Sequence, residues 1–276
     1  MKYNEIEMVL TDFDGTLLRS DRVISKKDYN TLLRLGNSGI TRVVATGRSC
    51  FSFSNVVSND FPIDFLIFSS GAGIMDWKTG KILKKHSMHP DYVETMIDKL
   101  IKMNVDFFVH YPIPDNHAFK YFYSGRGGTD FSARVALYED YAEPLNGRAE
   151  KFGPACQFIV VIPNDENLYF SITEELKGVH IIRSTSPLDG ESIWIEIFTP
   201  EVSKSRASEW LSRFAGIDTE KTLGIGNDYN DIDLLKWTEK SAVVSNGIPV
   251  LKNLYTVVKS NNENGFSDAI RKFTGI

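Results

Sequence analysis

The chain has 276 residues, 42% of them hydrophobic and 24% charged, with a formal net charge of -5. That composition belongs to a folded globular protein with a sizeable core and argues against disorder. A negative balance gives no broad positive field to attract nucleic acid or an anionic membrane, so an anionic ligand needs cations placed locally. The opening MKYNEIEMVL lacks the apolar run of a signal peptide, and no stretch reaches the roughly 20 apolar residues of a membrane span. Two cysteines, Cys50 and Cys156, are too few for a disulfide framework. The expectation is a cytoplasmic protein with no nucleic-acid or membrane partner and no protein partner.

Short β-rich runs alternate with helical patterns at both ends of the chain, the pattern of a parallel sheet covered by helices. Met8 to Thr11 reads as a buried strand. Ser25 opens a helix with Asp28 three residues on; apolar Tyr29, Leu32 and Leu33 follow, and Gly39 lies just past its end. Thr41 to Ala45 and Phe65 to Phe68 are the next strands. The middle of the chain is mixed. Tyr92 to Lys102 is helical, while Phe107 to His110, Ala118 to Tyr123, Gln157 to Ile162, His180 to Arg183 and Trp194 to Phe198 read as strands. Gly125, Gly127 and Gly128 mark a loop there. Thr222 to Ile225, Ala242 to Ser245 and Thr256 to Val258 then return to the strand pattern, with a helix over Asp231 to Trp237. The expected organisation is an α/β core formed by residues 1–83 and 195–276, interrupted by an α+β insert at 84–194.

Four local patterns carry chemistry. Asp12-Phe13-Asp14-Gly15-Thr16 follows the first strand, so two carboxylates two residues apart stand at a strand end, where open α/β sheets bind ligands. A nucleophile beside a proton donor suits phosphoryl transfer through an aspartyl phosphate; an acidic strand-end turn is the plain alternative. Thr46-Gly47-Arg48 follows the second strand and offers a hydroxyl, backbone amides and a guanidinium to phosphate oxygens. Lys204 stands at a helix start, where the macrodipole disfavours a cation, and such a conflict with a local rule hints at function. Gly226-Asn227-Asp228-Tyr229-Asn230-Asp231 follows another strand and supplies the hard oxygen ligands that magnesium prefers, or else a polar turn capping the next helix.

In order and spacing these patterns resemble the four motifs of the haloacid dehalogenase superfamily, and the insert between the second and third is similar to the cap of Cof-type sugar phosphatases. The resemblance implies a Rossmann-like parallel-sheet core with an α+β cap, and a magnesium-dependent phosphatase acting on a small phosphorylated metabolite such as a sugar phosphate. By that likeness Asp12 attacks phosphorus and Asp14 moves the proton. Thr46, Gly47, Lys204 and Asn230 hold phosphoryl oxygens. Asp12, the backbone carbonyl of Asp14, Asn227, Asp228 and Asp231 provide for the metal. Arg48, Arg183 and Glu191 are candidates for substrate contact, with Ser186 beside them. His86 and His89 have a metal-like spacing but no partners in the sequence. Two departures stand out: Asn227 occupies a position where the family usually has Asp, and Ser69-Ser70-Gly71-Ala72 stands where Cof-like proteins often carry Asn-Gly. A sugar phosphomutase and a catalytically weakened ligand sensor are the competing readings.

Overall fold

The structure, a computed structural model, describes residues 6–126, 128–146 and 151–276. From the amino end it runs β1 (Met8–Thr11), α1 (Lys26–Asn37), β2 (Thr41–Ala45), α2 (Cys50–Ser54), β3 (Phe65–Phe68), β4 (Gly73–Asp76) and β5 (Lys81–Lys85). Next come α3 (Pro90–Met103), β6 (Phe107–His110), β7 (Phe119–Phe122), α4 (Gly128–Leu137), β8 (Ala142–Pro144), β9 (Phe158–Ile162), α5 (Glu166–Thr173), β10 (His180–Thr185) and β11 (Ile193–Phe198). The chain closes with α6 (Lys204–Ala215), β12 (Thr222–Gly226), α7 (Ile232–Trp237), β13 (Lys240–Val244), α8 (Pro249–Leu254), β14 (Thr256–Val258) and α9 (Gly265–Thr274). Gly127 lies outside the described residues, and Gly128, expected in a loop, opens α4.

Two compact units divide these elements: Met1–Lys84 with Ser203–Ile276, and Lys85–Val202. Among the described residues the first unit holds an eight-stranded sheet in the order β14-β13-β12-β1-β2-β3-β4-β5. The pairs from β14 to β3 are parallel, and β4 turns back antiparallel. This is the expected α/β class. Every residue of β1 is buried, which is why the central strands read as unbroken apolar runs: helices cover both faces of a parallel sheet. Met8, Leu10, Val43, Ala45 and Ile67 pack one face against Ala207, Leu211 and Leu234 of α6 and α7. On the other side α1 is tied to α9 by Asp28, whose Oδ1 accepts the amide of Ser267 at 2.9 Å and its hydroxyl at 2.5 Å. Ser25 caps α1 as its sequence suggests, accepting the Asp28 amide at 3.0 Å.

The second unit carries a six-stranded sheet, β10-β11-β9-β6-β7-β8, antiparallel except for β7 with β8. Because β11 is an inner strand of that sheet, the chain rejoins the first unit at Ser203 and not near residue 195. Alternation sorts its side chains. Phe107, Val109, Phe158 and Val160 face the α3 and α5 side, and Phe108, Phe119, Ile159 and Trp194 face α4. No helix among the described residues is long and apolar enough to cross a membrane.

On the α4 side His110 is buried beside Arg134, whose guanidinium lies over the rings of Phe108, Phe119, Tyr138 and Trp194 at 4.6–5.5 Å. Nδ1 of His110 lies 2.9 Å from the Asn116 carbonyl oxygen, which only an N–H can satisfy, so Nε2 is the acceptor facing Arg134 at 3.5 Å. Burial, then the neighbouring guanidinium, lowers its pKa from 6.5 to about 3. Between those values the unfolded chain binds a proton that the folded chain refuses, so stability present above pH 6.5 is lost as the pH falls toward 3. Denaturant unfolding between pH 7 and 4 is expected to show this slope. His110→Asn, which keeps an N–H donor, is expected to lose up to one proton's worth, about 1.4 kcal/mol per pH unit.

Candidate active site

Parallel pairing places the chemistry. Thr11, the last residue of β1, is level with Ile225 of β12 and Val44 of β2, so the chain leaves three adjacent strands at nearly the same height. Asp12 follows at once, its amide donating to the Ile225 carbonyl at 2.8 Å. Alternation then sends Phe13 into the core, edge-on to Phe53 at 4.7 Å between centroids, while Asp12 and Asp14 flank it. Gly15 turns the chain with φ +73°, and a β-carbon there would lie 2.7 Å from the outer atom of the Asn227 carboxamide. The Asn246 carboxamide donates to the Gly15 carbonyl at 2.8 Å and fixes the turn from a third direction.

The charge at the site is concentrated in three buried side chains. Lys204 begins α6 behind the cap of Ser203, which accepts the Arg206 amide at 3.1 Å. Its Nζ has no exposure and donates to Asp12 Oδ1 at 2.7 Å and Asp231 Oδ1 at 2.6 Å. Asp231 spends its other oxygen on the amides of Asn227 and Asp228, at 2.8 and 3.1 Å. Burial alone would lower the Lys204 pKa; the two carboxylates outweigh it and hold the ammonium above its ordinary value. The Asp12 pKa is raised too, to about 7, by burial and then by Asp231, against the lowering effect of Lys204. The three groups, all ionised, sum to one negative charge.

Arg48 and Asp14 form a second pair, with the guanidinium donating to both carboxylate oxygens at 2.7 Å. Arg48 also reaches Ser52. The loop carrying it is pinned by a turn with unusual backbone: Ser69 and Ser70 have φ +48° and +54°. In exchange for this strain, about 1–3 kcal/mol per residue in sparsely populated regions, Ser69 donates its amide to the Arg48 carbonyl at 2.8 Å and Ser70 to the Thr46 carbonyl at 3.0 Å. Gly71 follows with φ +104°, and a β-carbon there would sit 2.3 Å from the Ser203 carbonyl oxygen, so the turn also seats the start of α6.

The haloacid dehalogenase-like hydrolase family matches residues 9–270 of this sequence. The chain belongs to that family. Among relatives, the 5-amino-6-(5-phospho-D-ribitylamino)uracil phosphatase YwtE of Bacillus subtilis is 28% identical over 94% of this chain and 95% of its own. A phosphatase of the haloalkanoate (HAD) superfamily from Bacteroides thetaiotaomicron has a similar fold, with TM-score 0.79 at 18% identity over 99% of this chain and 96% of that one. A solved HAD subclass IIB sugar phosphatase aligns with TM-score 0.77 at 17% identity over 98% of this chain and all of its own length, 100%.

Within this family member, Asp12, Asn227, Asp231 and Lys204 come together, and Thr46 and Gly47 follow on the neighbouring strand end. Some sequence expectations fall differently. Asp231, expected on a metal, has both oxygens engaged by Lys204 and loop amides, so its carboxylate builds the site's frame. Asp228 forms a capping box with Asp231 at the start of the turn that also carries Asn230. Arg48, expected at the substrate, is held on Asp14. Arg183 is bidentate to Glu166 and lies over Tyr169, Glu191 donates its amide to Asp189, and Ser186 binds the buried Asp130; all belong to the second unit. His89 caps α3, and no group of three His, Cys, Asp or Glu suited to a metal occurs among the described residues. Thr16 and Asn246 were not singled out from sequence. Thr16 lay inside the first motif, whereas Asn246 sits in a turn with nothing local to mark it.

Removing the lysine should expose the charge balance. Lys204→Met is expected to destabilise the chain by about 3–5 kcal/mol in urea unfolding at pH 8 without divalent metal, because two buried carboxylates lose their counter-ion. Without Lys204, which lowers the Asp12 pKa, that carboxylate takes up its proton above pH 7, so the deficit should shrink as the pH falls from 8 toward 7.

Proposed function

We propose that this hydrolase is a magnesium-dependent phosphomonoesterase for a small phosphorylated sugar or polyol, with Asp12 as nucleophile. The observation that carries the reading is the buried trio Asp12, Lys204 and Asp231, which holds a carboxylate ready at a strand end while keeping an ammonium on it. In the first step an Asp12 oxygen forms a bond to phosphorus as the bond to the leaving oxygen breaks, and Asp14 delivers the proton that oxygen needs. In the second, Asp14 takes a proton from water, the water oxygen attacks phosphorus, and phosphate leaves Asp12. Arg48 has to release one of its two bonds before Asp14 can carry that proton. Thr46 Oγ1 accepts the Arg48 amide at 3.1 Å, leaving its own O–H to donate to a phosphoryl oxygen. Lys204 uses two of its three N–H bonds on carboxylates, and the third suits a second phosphoryl oxygen.

The donor set suits a hard divalent cation. The inward atom of the Asn227 carboxamide lies 3.1 Å from Asp12 Oδ2 and 3.2 Å from the Asp14 carbonyl oxygen. Neighbouring ligands on an octahedral magnesium are about 3 Å apart. Asp12, the Asp14 carbonyl and Asn227 would hold the ion, which supplies positive charge against the repulsion between carboxylate and phosphate when bound. The substrate class draws support from the ribityl phosphate in the name of the Bacillus subtilis relative and from the subclass IIB sugar phosphatase.

The test is phosphate release from a panel of hexose and pentose phosphates, phosphorylated polyols including 5-amino-6-(5-phospho-D-ribitylamino)uracil, and nucleotides. Magnesium-dependent release that falls at least ~10³-fold in Asp12→Asn, with the fold retained by circular dichroism, is the expected outcome. Asp14→Asn is expected to lose ~10²–10⁴-fold through the proton step. An isomer in place of free phosphate would instead make the chain a mutase, and no turnover on any member would favour a ligand sensor.

A further inference from the structure

The Asn227 carboxamide fills its inward position in either of two ways. With oxygen inward it accepts from the Thr16 hydroxyl at 2.9 Å, but it then faces two further acceptors, Asp12 Oδ2 at 3.1 Å and the Asp14 carbonyl at 3.2 Å. With nitrogen inward the same position lies within donating distance of Asp12 Oδ2, the Asp14 carbonyl and Thr16 Oγ1, and its two N–H groups can serve Asp12 and the Asp14 carbonyl while the Thr16 hydroxyl turns elsewhere. Without a cation only the second orientation gives Asp12 Oδ2 and the Asp14 carbonyl a donor from this carboxamide, and clustered oxygens without a donor are costly in a buried site. Gly15, with no β-carbon, is what lets the carboxamide stand this close. An aspartate at 227 could not make this exchange; it would instead add a carboxylate beside Asp12 and near Asp231, where the trio already carries one negative charge.

We propose that Asn227 is a two-position group that sets metal occupancy: nitrogen inward it closes the metal-free site by hydrogen-bonding Asp12 and Asp14, and oxygen inward it ligates magnesium. This rests on the metal reading given above. Loading the site then means breaking the amide's bonds to Asp12 and Asp14 as well as binding the ion. The metal-free protein is correspondingly well ordered, and occupancy follows the free magnesium concentration instead of staying saturated.

Calorimetric titration with magnesium chloride alone and melting curves without substrate, both on the full chain, test this. Asn227→Asp is expected to bind magnesium at least tenfold more tightly than wild type, to melt lower in EDTA, and to regain that loss when magnesium is added. Asn227→Ala should also melt lower in EDTA and bind magnesium more weakly. In ¹⁵N spectra the Asn227 side-chain NH₂, assigned by its disappearance in Asn227→Asp, should be protected from exchange in EDTA and lose that protection on saturation. If magnesium binds wild type and Asn227→Asp with equal affinity and both melt alike in EDTA, the two-position role is overturned while the metal reading stands. Absence of magnesium binding to both proteins would overturn both.

Discussion

A lysine ammonium with no exposed surface lies between Asp12 and Asp231, and the geometry around it follows from the need to keep that charge compensated. Desolvating an ammonium costs several kcal/mol unless ideal partners surround it, so both carboxylates must be held to within tenths of an ångström. Parallel pairing of β1 with β12 sets the height of Asp12 against the loop that carries Asp231. The amides of Asn227 and Asp228 then fix the Asp231 carboxylate, and the Ser203 cap and the close contact at Gly71 fix the start of α6. Lys204 violates the usual charge preference at a helix start because these two carboxylates, and not the helix, determine its energy.

The same arrangement gives the proposed nucleophile its character. A carboxylate buried alone would take up a proton and be useless for attack; a carboxylate paired too tightly would be inert. Asp12 lies between these limits, raised by burial and Asp231 but opposed by Lys204. Its second oxygen is turned toward Asn227 and the Asp14 carbonyl, where further positive charge would complete the balance.

Much of the fold was legible because parallel strands covered on both faces leave a simple trace. Met8–Thr11, Thr41–Ala45 and Phe65–Phe68 are short apolar runs ending in turn residues, and the α/β class follows from their alternation with helices. The hairpin of β4 and β5 left no such trace: Lys81–Lys85 lies at the sheet edge with Lys81 and Lys85 exposed, and three lysines in five residues give it the composition of a loop. Helix α4 was hidden by its opening glycine. At the site, residue types were readable but their partners were not. Nothing near Arg48 in sequence shows that it faces Asp14, and an aspartate on a polar turn looks equally fit for a metal or for Lys204. Such choices depend on pairs 34 and 27 residues apart. The left-handed turn at Ser69 and Ser70 was invisible for another reason, since serine has no preference for that conformation and only the surrounding contacts impose it.

The bond between Asp12 and Lys204 joins residues 192 positions apart, with the whole second unit threaded between them. As a ribosome delivers the chain from its amino end, β1 emerges early, yet its partner β12 and the lysine arrive only after some two hundred further residues. Until then Asp12 has no counter-ion and its strand has an open edge. A nascent or truncated chain therefore cannot assemble the trio of Asp12, Lys204 and Asp231, which comes together only when synthesis has passed Asp231.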